Sequence, residues 1–164
     1  MKIAANSIPN KICTVPELLI QLKRWRLLSK KIVFTNGVFD ILHDGHIASL
    51  CEAASHGDIL IIGLNADASV KRLKGESRPV NNEKSRALLL ASMLMTDAIV
   101  IFEEDTPLQL ITTILPDVLV KGGDYTLDQI VGAKEVMANG GNVIIAPILE
   151  GFSSTAIIER MKKQ

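Results

Sequence analysis

Apolar positions along this chain form two alternating patterns. Five short runs are apolar almost throughout: 31–35 (KIVFT), 58–64 (DILIIGL), 98–102 (AIVIF), 117–121 (DVLVK) and 142–147 (NVIIAP). Strands buried on both faces read this way, because helices cover both sides of a parallel sheet. The segments 45–56, 82–95, 106–114, 127–138 and 154–163 read as helices. In the first of them Ile47, Leu50, Cys51 and Ala54 recur at i, i+3, i+4 and i+7. Thr106 and Pro107 fit the cap and first position of the 106–114 helix. Gly57 and Gly140–Gly141 stand where C-terminal stops belong. Ahead of the first strand, TVPELLIQLKRWRLLSKK predicts one more helix. Thr14 and Glu17 fit a capping box, Pro16 falls in the first turn, and Leu18, Leu19, Leu22 and Trp25 keep helical spacing.

Strands alternating with helices predict a Rossmann-like, doubly wound five-stranded parallel sheet with helices on both faces. Residues 1–30 form an N-terminal extension with one helix, and 31–164 form the α/β domain. In such a sheet ligands bind beyond the carboxyl ends of the strands, where the strand order reverses. Composition narrows the choice of ligand. With 18 basic and 18 acidic residues the net charge is zero, which argues against a nucleic-acid footprint but leaves room for a local anion site. The cluster Lys23-Arg24-Trp25-Arg26 reads as a solvated helix face. Cys13 and Cys51 lack a partner spacing and read as reduced thiols. The N-terminus lacks a signal-peptide core and no run approaches a membrane span, so a cytoplasmic location without membrane insertion is expected.

The stretch TNGVFDILHDGH, residues 35–46, holds two of the three histidines, three positions apart. Gly37 lets the backbone turn sharply or approach a ligand closely. His46 falls in the first turn of the following helix and His43 just before it, so both rings lie on one side of its N-terminus. Free N–H groups and a partial positive charge make that end a site for phosphate, and two imidazole donors beside it can stabilise developing charge. Two other readings stand: a capping or half-buried core histidine, and half of a zinc site lacking its remaining ligands. NADASVKRLKGESRP reads as a basic polar loop, with Asn65 and Asp67 at the turn and Lys71, Arg72, Lys74 and Arg78 beyond. It is either a solvated connector or part of the site. Arg86 either lies on the surface or points at a phosphate. In KGGDY, Lys121 ends a strand, Gly122 and Gly123 permit close approach, and Asp124 can accept from an amine or a sugar hydroxyl. Ser153, Ser154 and Thr155 in EGFSST are either N-caps or a phosphate cradle.

Together TNGVFDILHDGH, NADASVKRLKGESRPVN, KGGDY and EGFSSTAI resemble the cytidylyltransferase-like nucleotidyltransferases of the HxGH family, the motif being His43, Gly45 and His46. Within it the match is closest to heptose 1-phosphate adenylyltransferases, including that half of bifunctional ADP-heptose synthases, and covers residues 31 to 163 in order. Class I aminoacyl-tRNA synthetases share HxGH, but this chain is short and lacks their lysine-rich second signature. The resemblance implies that ATP and D-glycero-β-D-manno-heptose 1-phosphate give ADP-heptose and pyrophosphate, for the inner core of lipopolysaccharide.

It also implies roles. His43 and His46 contact the ATP phosphates and stabilise the transition state. Thr35, Asn36, Gly37 and Phe39 shape the nucleotide site, to which Gly45, Gly122 and Asp124 also belong, and Asp40 supports the loop. Ser153, Ser154 and Thr155 hold the β and γ phosphates, Arg86 lies near the phosphates, and Lys74 sits in a loop that closes over the substrates. Magnesium is expected with ATP, its protein ligands unspecified. A homodimer is expected, as are a separate heptose kinase and phosphatase, since too few residues precede the first strand for a kinase. Cytidylyltransferases place Arg-Thr-Glu-Gly where this chain has Ile148-Leu149-Glu150-Gly151, which favours ATP over CTP. The alternatives are a cytidylyltransferase acting on glycerol 3-phosphate or another sugar or alcohol phosphate, and a nucleotide-binding module without catalysis. The intact histidines and closing hydroxyls speak against the last.

Overall fold

One sheet of five parallel strands organises the chain, in the order β3-β2-β1-β4-β5. The computed structural model describes residues 7–147 and 151–162. In chain order its elements are α1 (Val15–Leu27), β1 (Ile32–Gly37), α2 (Asp44–Ala54), β2 (Ile59–Asn65), α3 (Asp67–Lys74), α4 (Glu83–Ala91) and β3 (Ala98–Phe102). There follow α5 (Leu108–Ile114), β4 (Val118–Gly122), α6 (Ala133–Ala138), β5 (Asn142–Ala146) and α7 (Ser154–Lys162). The order reverses between β1 and β4. β1 pairs with β2 along its whole length, from Ile32 opposite Ile59 to Gly37 opposite Leu64. With β4 it pairs only at Val33 and Phe34, opposite Val118 and Leu119. Beyond Phe34 the two strands part, and a crevice opens at the switch point.

Strand alternation sends side chains into two cores. Ile32, Phe34, Val100 and Leu119 pack with α1, α5 and α6, whereas Val33, Ile62, Val118 and Val120 pack with α2 and α4. Helix α1 is part of the first core: Leu18 is 0% and Leu22 3% exposed. Its predicted capping box is present, Thr14 N–H donating to Glu17 Oε2 at 2.8 Å and Glu17 N–H to Thr14 Oγ1 at 3.5 Å. The edge of β3 is covered in part by the segment before α1, where Cys13 N–H donates to the Ile99 carbonyl at 3.0 Å. Among the described residues no helix is long and apolar enough to cross a membrane.

Some predicted elements are corrected. Residues 67–74, read as a loop, form α3, which buries only Ser69 and Val70 and so shows almost no apolar stripe. The segment 127–138 is not one helix but a 3-10 turn at Leu127–Gln129 followed by α6. Gly132 between them has φ +85°, and a Cβ there would lie 2.8 Å from the Ile111 side chain. Pro107 caps α5 rather than beginning it, and α4 ends at Ala91. β1 runs on through Asn36 and Gly37, so the turn starts later than predicted.

Replacing Leu18 by Ala is expected to cost about 2–5 kcal/mol of unfolding free energy in denaturant titration, the usual range for a fully buried leucine. A loss below about 1 kcal/mol would mean that α1 does not share the core.

Candidate active site

The crevice between the carboxyl ends of β1 and β4 has a volume of about 500 Å³ and takes in Asn36, Gly37, Phe39, His46, Lys74 and Lys121 among its lining residues. The loop after β1 is built around two left-handed residues, Phe39 at φ 48° and Ile41 at φ 51°, a costly conformation for a β-branched side chain. Gly37 lets the Phe39 ring fold back over the strand, since a Cβ there would lie 3.0 Å from that ring. Asp40 holds the loop in place. It is 1% exposed and accepts from Arg78 Nε at 2.9 Å, Val80 N–H at 2.8 Å and Asn81 N–H at 3.0 Å. Burial pushes its carboxyl up, but the N–H groups of Asn81 and Val80 and the Arg78 guanidinium outweigh this and hold it below the usual carboxylate range. Its main-chain carbonyl accepts from Ser154 Oγ, which ties the start of α7 to the same loop.

His43 is the N-cap residue of α2, without a side-chain cap hydrogen bond, and His46 lies in the first turn. Their rings stack with centroids 3.8 Å apart and planes 20° apart, and Phe39 meets His46 edge-on at 5.4 Å. Gly45 makes the stack possible, because a Cβ there would lie 3.1 Å from the His43 ring and 3.2 Å from Phe152 Cβ. Both Nδ1 atoms are buried without a hydrogen-bond partner. Burial pushes His46 down to about 4, His43 and Lys74 adding to the shift and Asp40 opposing it. Burial lowers His43 as well, with Asp44 opposing. At neutral pH the rings are therefore uncharged donors, and the positive charge of the site comes from lysines. Burial, then Arg78, lowers Lys74, with Asp40 opposing, and burial alone lowers Lys121.

Of the predicted residues, Asn36, Gly37, Phe39, His46, Lys74 and Ser154 line the crevice. His43 and Gly45 lie immediately behind His46. Thr35 is buried in β1, opposite Ile62. Gly122 ends β4 against Ser49, a Cβ there falling 3.0 Å from Ser49 Oγ, and Asp124 and Thr155 are exposed. Ser153 caps α7, accepting from Ala156 N–H at 3.0 Å. The surface reading of Arg86 is corrected: it is 0% exposed, and it is not among the residues that line the crevice. It donates to Asp67 Oδ1 at 2.6 Å, to the Val38 carbonyl at 2.7 Å and to the Asn81 carbonyl at 2.9 Å. These bonds brace the loop after β1. Arg72 likewise turns to Asp105, at 2.6 Å. Ile148, Leu149 and Glu150 lie outside the described residues. The crevice also takes in Asn65, Asp105, Thr106, Tyr125 and Gln129. Thr106 and Gln129 stood just after strands, in segments read as a cap and a helix, and Tyr125 closes the KGGDY motif without having been named itself.

Among the described residues no group of three or more His, Cys, Asp or Glu could hold a metal ion. The zinc reading thus lacks its further ligands.

Fold and site together define a doubly wound α/β protein with a crevice lined by His46, Lys74 and Lys121 at its switch point. The chain belongs to the cytidylyltransferase-like family, whose model matches residues 34–160. The bifunctional protein HldE of Rhodopseudomonas palustris (strain HaA2) is 54% identical over 147 residues, covering 90% of this chain and 30% of that protein. HldE of Koribacter versatilis (strain Ellin345) is 51% identical over 161 residues, covering 96% of this chain and 33% of that one. The chain thus spans about a third of the length of these curated relatives. The crystal structure of the lipopolysaccharide core biosynthesis protein from Thermoplasma volcanium GSS1 is similar with a TM-score of 0.58 and 29% identity, covering 73% of this chain and 97% of that one. Pantothenate synthetase from Thermus thermophilus shares the fold, with a TM-score of 0.63 at 18% identity over 93% of this chain and 70% of that one.

The depressed His46 predicts a pH dependence of stability. The unfolded chain takes up this proton near pH 6.5 and the folded chain only near 4, so the contribution is full above 6.5 and drains away as pH falls toward 4. His46→Gln should therefore lose less stability than the parent over that window, measured by denaturant titration at several pH values. Parallel curves would refute the buried neutral ring.

Proposed function

We propose that this chain is an adenylyltransferase that makes ADP-heptose and pyrophosphate from ATP and D-glycero-β-D-manno-heptose 1-phosphate. The observation that carries the reading is the stacked pair His43 and His46 at the N-terminus of α2, beside a crevice with two lysines. The 51% and 54% identity to proteins named HldE supports the choice of substrate.

The residues suit a reaction that needs no base. A sugar phosphate has a second pKa of about 6 and is largely a dianion at neutral pH. One of its oxygens attacks the α-phosphorus of ATP; that P–O bond forms while the bond to the bridging oxygen of the β-phosphate breaks, and pyrophosphate leaves. The catalyst must then align the reactants in line and stabilise spread-out negative charge. Neutral imidazole N–H groups and the free amides at the start of α2 supply fixed dipoles for this, and desolvated surroundings strengthen them. Phe39 and the Asp40-held loop keep the rings in place. A magnesium ion riding on the phosphate oxygens would neutralise further charge.

The test is pyrophosphate release with ATP, magnesium and heptose 1-phosphate, beside CTP with glycerol 3-phosphate. Release in the first mixture alone is expected; release in the second alone would overturn the substrate assignment. His46→Ala should lower kcat by about a hundredfold or more, the scale for losing a transition-state donor. A near-normal rate would remove His46 from the mechanism.

A further inference from the structure

The basic side chains near the crevice are mostly spoken for. Arg72, Arg78 and Arg86 are paired with Asp105, Asp40 and Asp67. Lys121, at the carboxyl end of β4, is in no ion pair among the described residues. Among the described residues its Nζ has Asn36 Oδ1 at 3.4 Å and the Asn36 carbonyl at 3.5 Å, both long for a group with three donors, and the Tyr125 ring with its centroid 6.0 Å away. Its surroundings are desolvated enough to push its pKa down without any opposing carboxylate. A cation left this way inside a crevice is under-satisfied until an anion arrives.

Strand alternation decides which anion. Val118 and Val120 of β4 face α2, while Leu119 faces α5 and α6, so Lys121 enters the crevice from the α5–α6 side. The histidines enter from the α2 side. In-line displacement puts the attacking group opposite the leaving pyrophosphate. If the histidine side holds the nucleotide's phosphates, the far side receives the acceptor. Around Lys121 that side offers Thr106, Tyr125 and Gln129, hydroxyl and amide groups suited to a polyhydroxylated molecule. We infer that Lys121 anchors the phosphate of the acceptor. This rests on the proposed adenylyl transfer and adds the subsite for its second substrate.

Calorimetry on the parent and on Lys121→Gln tests it. A nonhydrolysable ATP analogue is titrated first, then heptose 1-phosphate or glycerol 3-phosphate into the nucleotide complex. The parent's choice of acceptor tests the heptose reading, and the variant tests the anchor on whichever acceptor binds. The variant's acceptor Kd should weaken about tenfold or more, as for loss of a charge-assisted hydrogen bond, with the nucleotide Kd within about twofold. Its Tm should hold or rise, because a desolvated unpaired charge has gone. An unchanged acceptor Kd, an equal loss of nucleotide affinity, or a fallen Tm as the sole effect would overturn the anchor. A parent that binds neither acceptor would overturn both readings, whereas one that prefers glycerol 3-phosphate would overturn only the heptose assignment.

Discussion

The parting of β1 from β4 is the constraint on which the site depends. β1 keeps its ladder with β2 to Gly37, yet its pairing with β4 stops at Phe34. Asn36 and Lys121 then face each other across an opening instead of across a ladder, and the loop after β1 must turn over it. Two left-handed residues make that turn, and Asp40, Arg78 and Arg86 hold it with buried, charge-assisted hydrogen bonds. Such groups are costly to bury unpaired, and Asp40 with its three donors makes this loop a stiff support. The stiffness is transmitted to the rings, Phe39 lying edge-on to His46 and Gly45 leaving the space in which His43 stacks on it.

Seen from the site outward, charge is divided by role. Guanidinium groups are consumed in building the loop, while the two crevice lysines are left without ion-pair partners among the described residues, and the histidines stay neutral. On the proposed function, neutral rings would hold phosphate by direction, and lysines by charge.

Much of this was legible in the chain. Strands β1 to β4 are largely buried on both faces and apolar almost throughout, the partly exposed β5 keeps the same apolar run, and the order of helices between them implied the parallel sheet. The spacing of His43 and His46 carried the stack, because three residues at a helix start bring two side chains to one side. What was lost had physical reasons. Helix α3 hides in a polar composition because it buries so little, although Lys71, Arg72 and Lys74 in its last turn match the helix dipole. Arg86 was ambiguous, since a helical arginine faces a ligand or a carboxylate according to what the fold brings near, and here it is Asp67. The split of 127–138 turned on Gly132, whose left-handed backbone no apolar period reveals. Lys121 was named as a strand end, and its side of the sheet followed only once Leu119 was placed in the α1–α5–α6 core.

The central claim is that the two stacked rings meet the phosphates of the nucleotide. Ring nitrogen NMR reads this directly, with His56 as an internal control at the far end of α2, where it pairs with Glu52 at 3.1 Å. Addition of a nonhydrolysable ATP analogue should move the imidazole resonances of His43 and His46 together and leave those of His56 in place. If the analogue binds and His43 and His46 stay unmoved, the histidine pair does not hold the phosphate chain and the account fails at its centre.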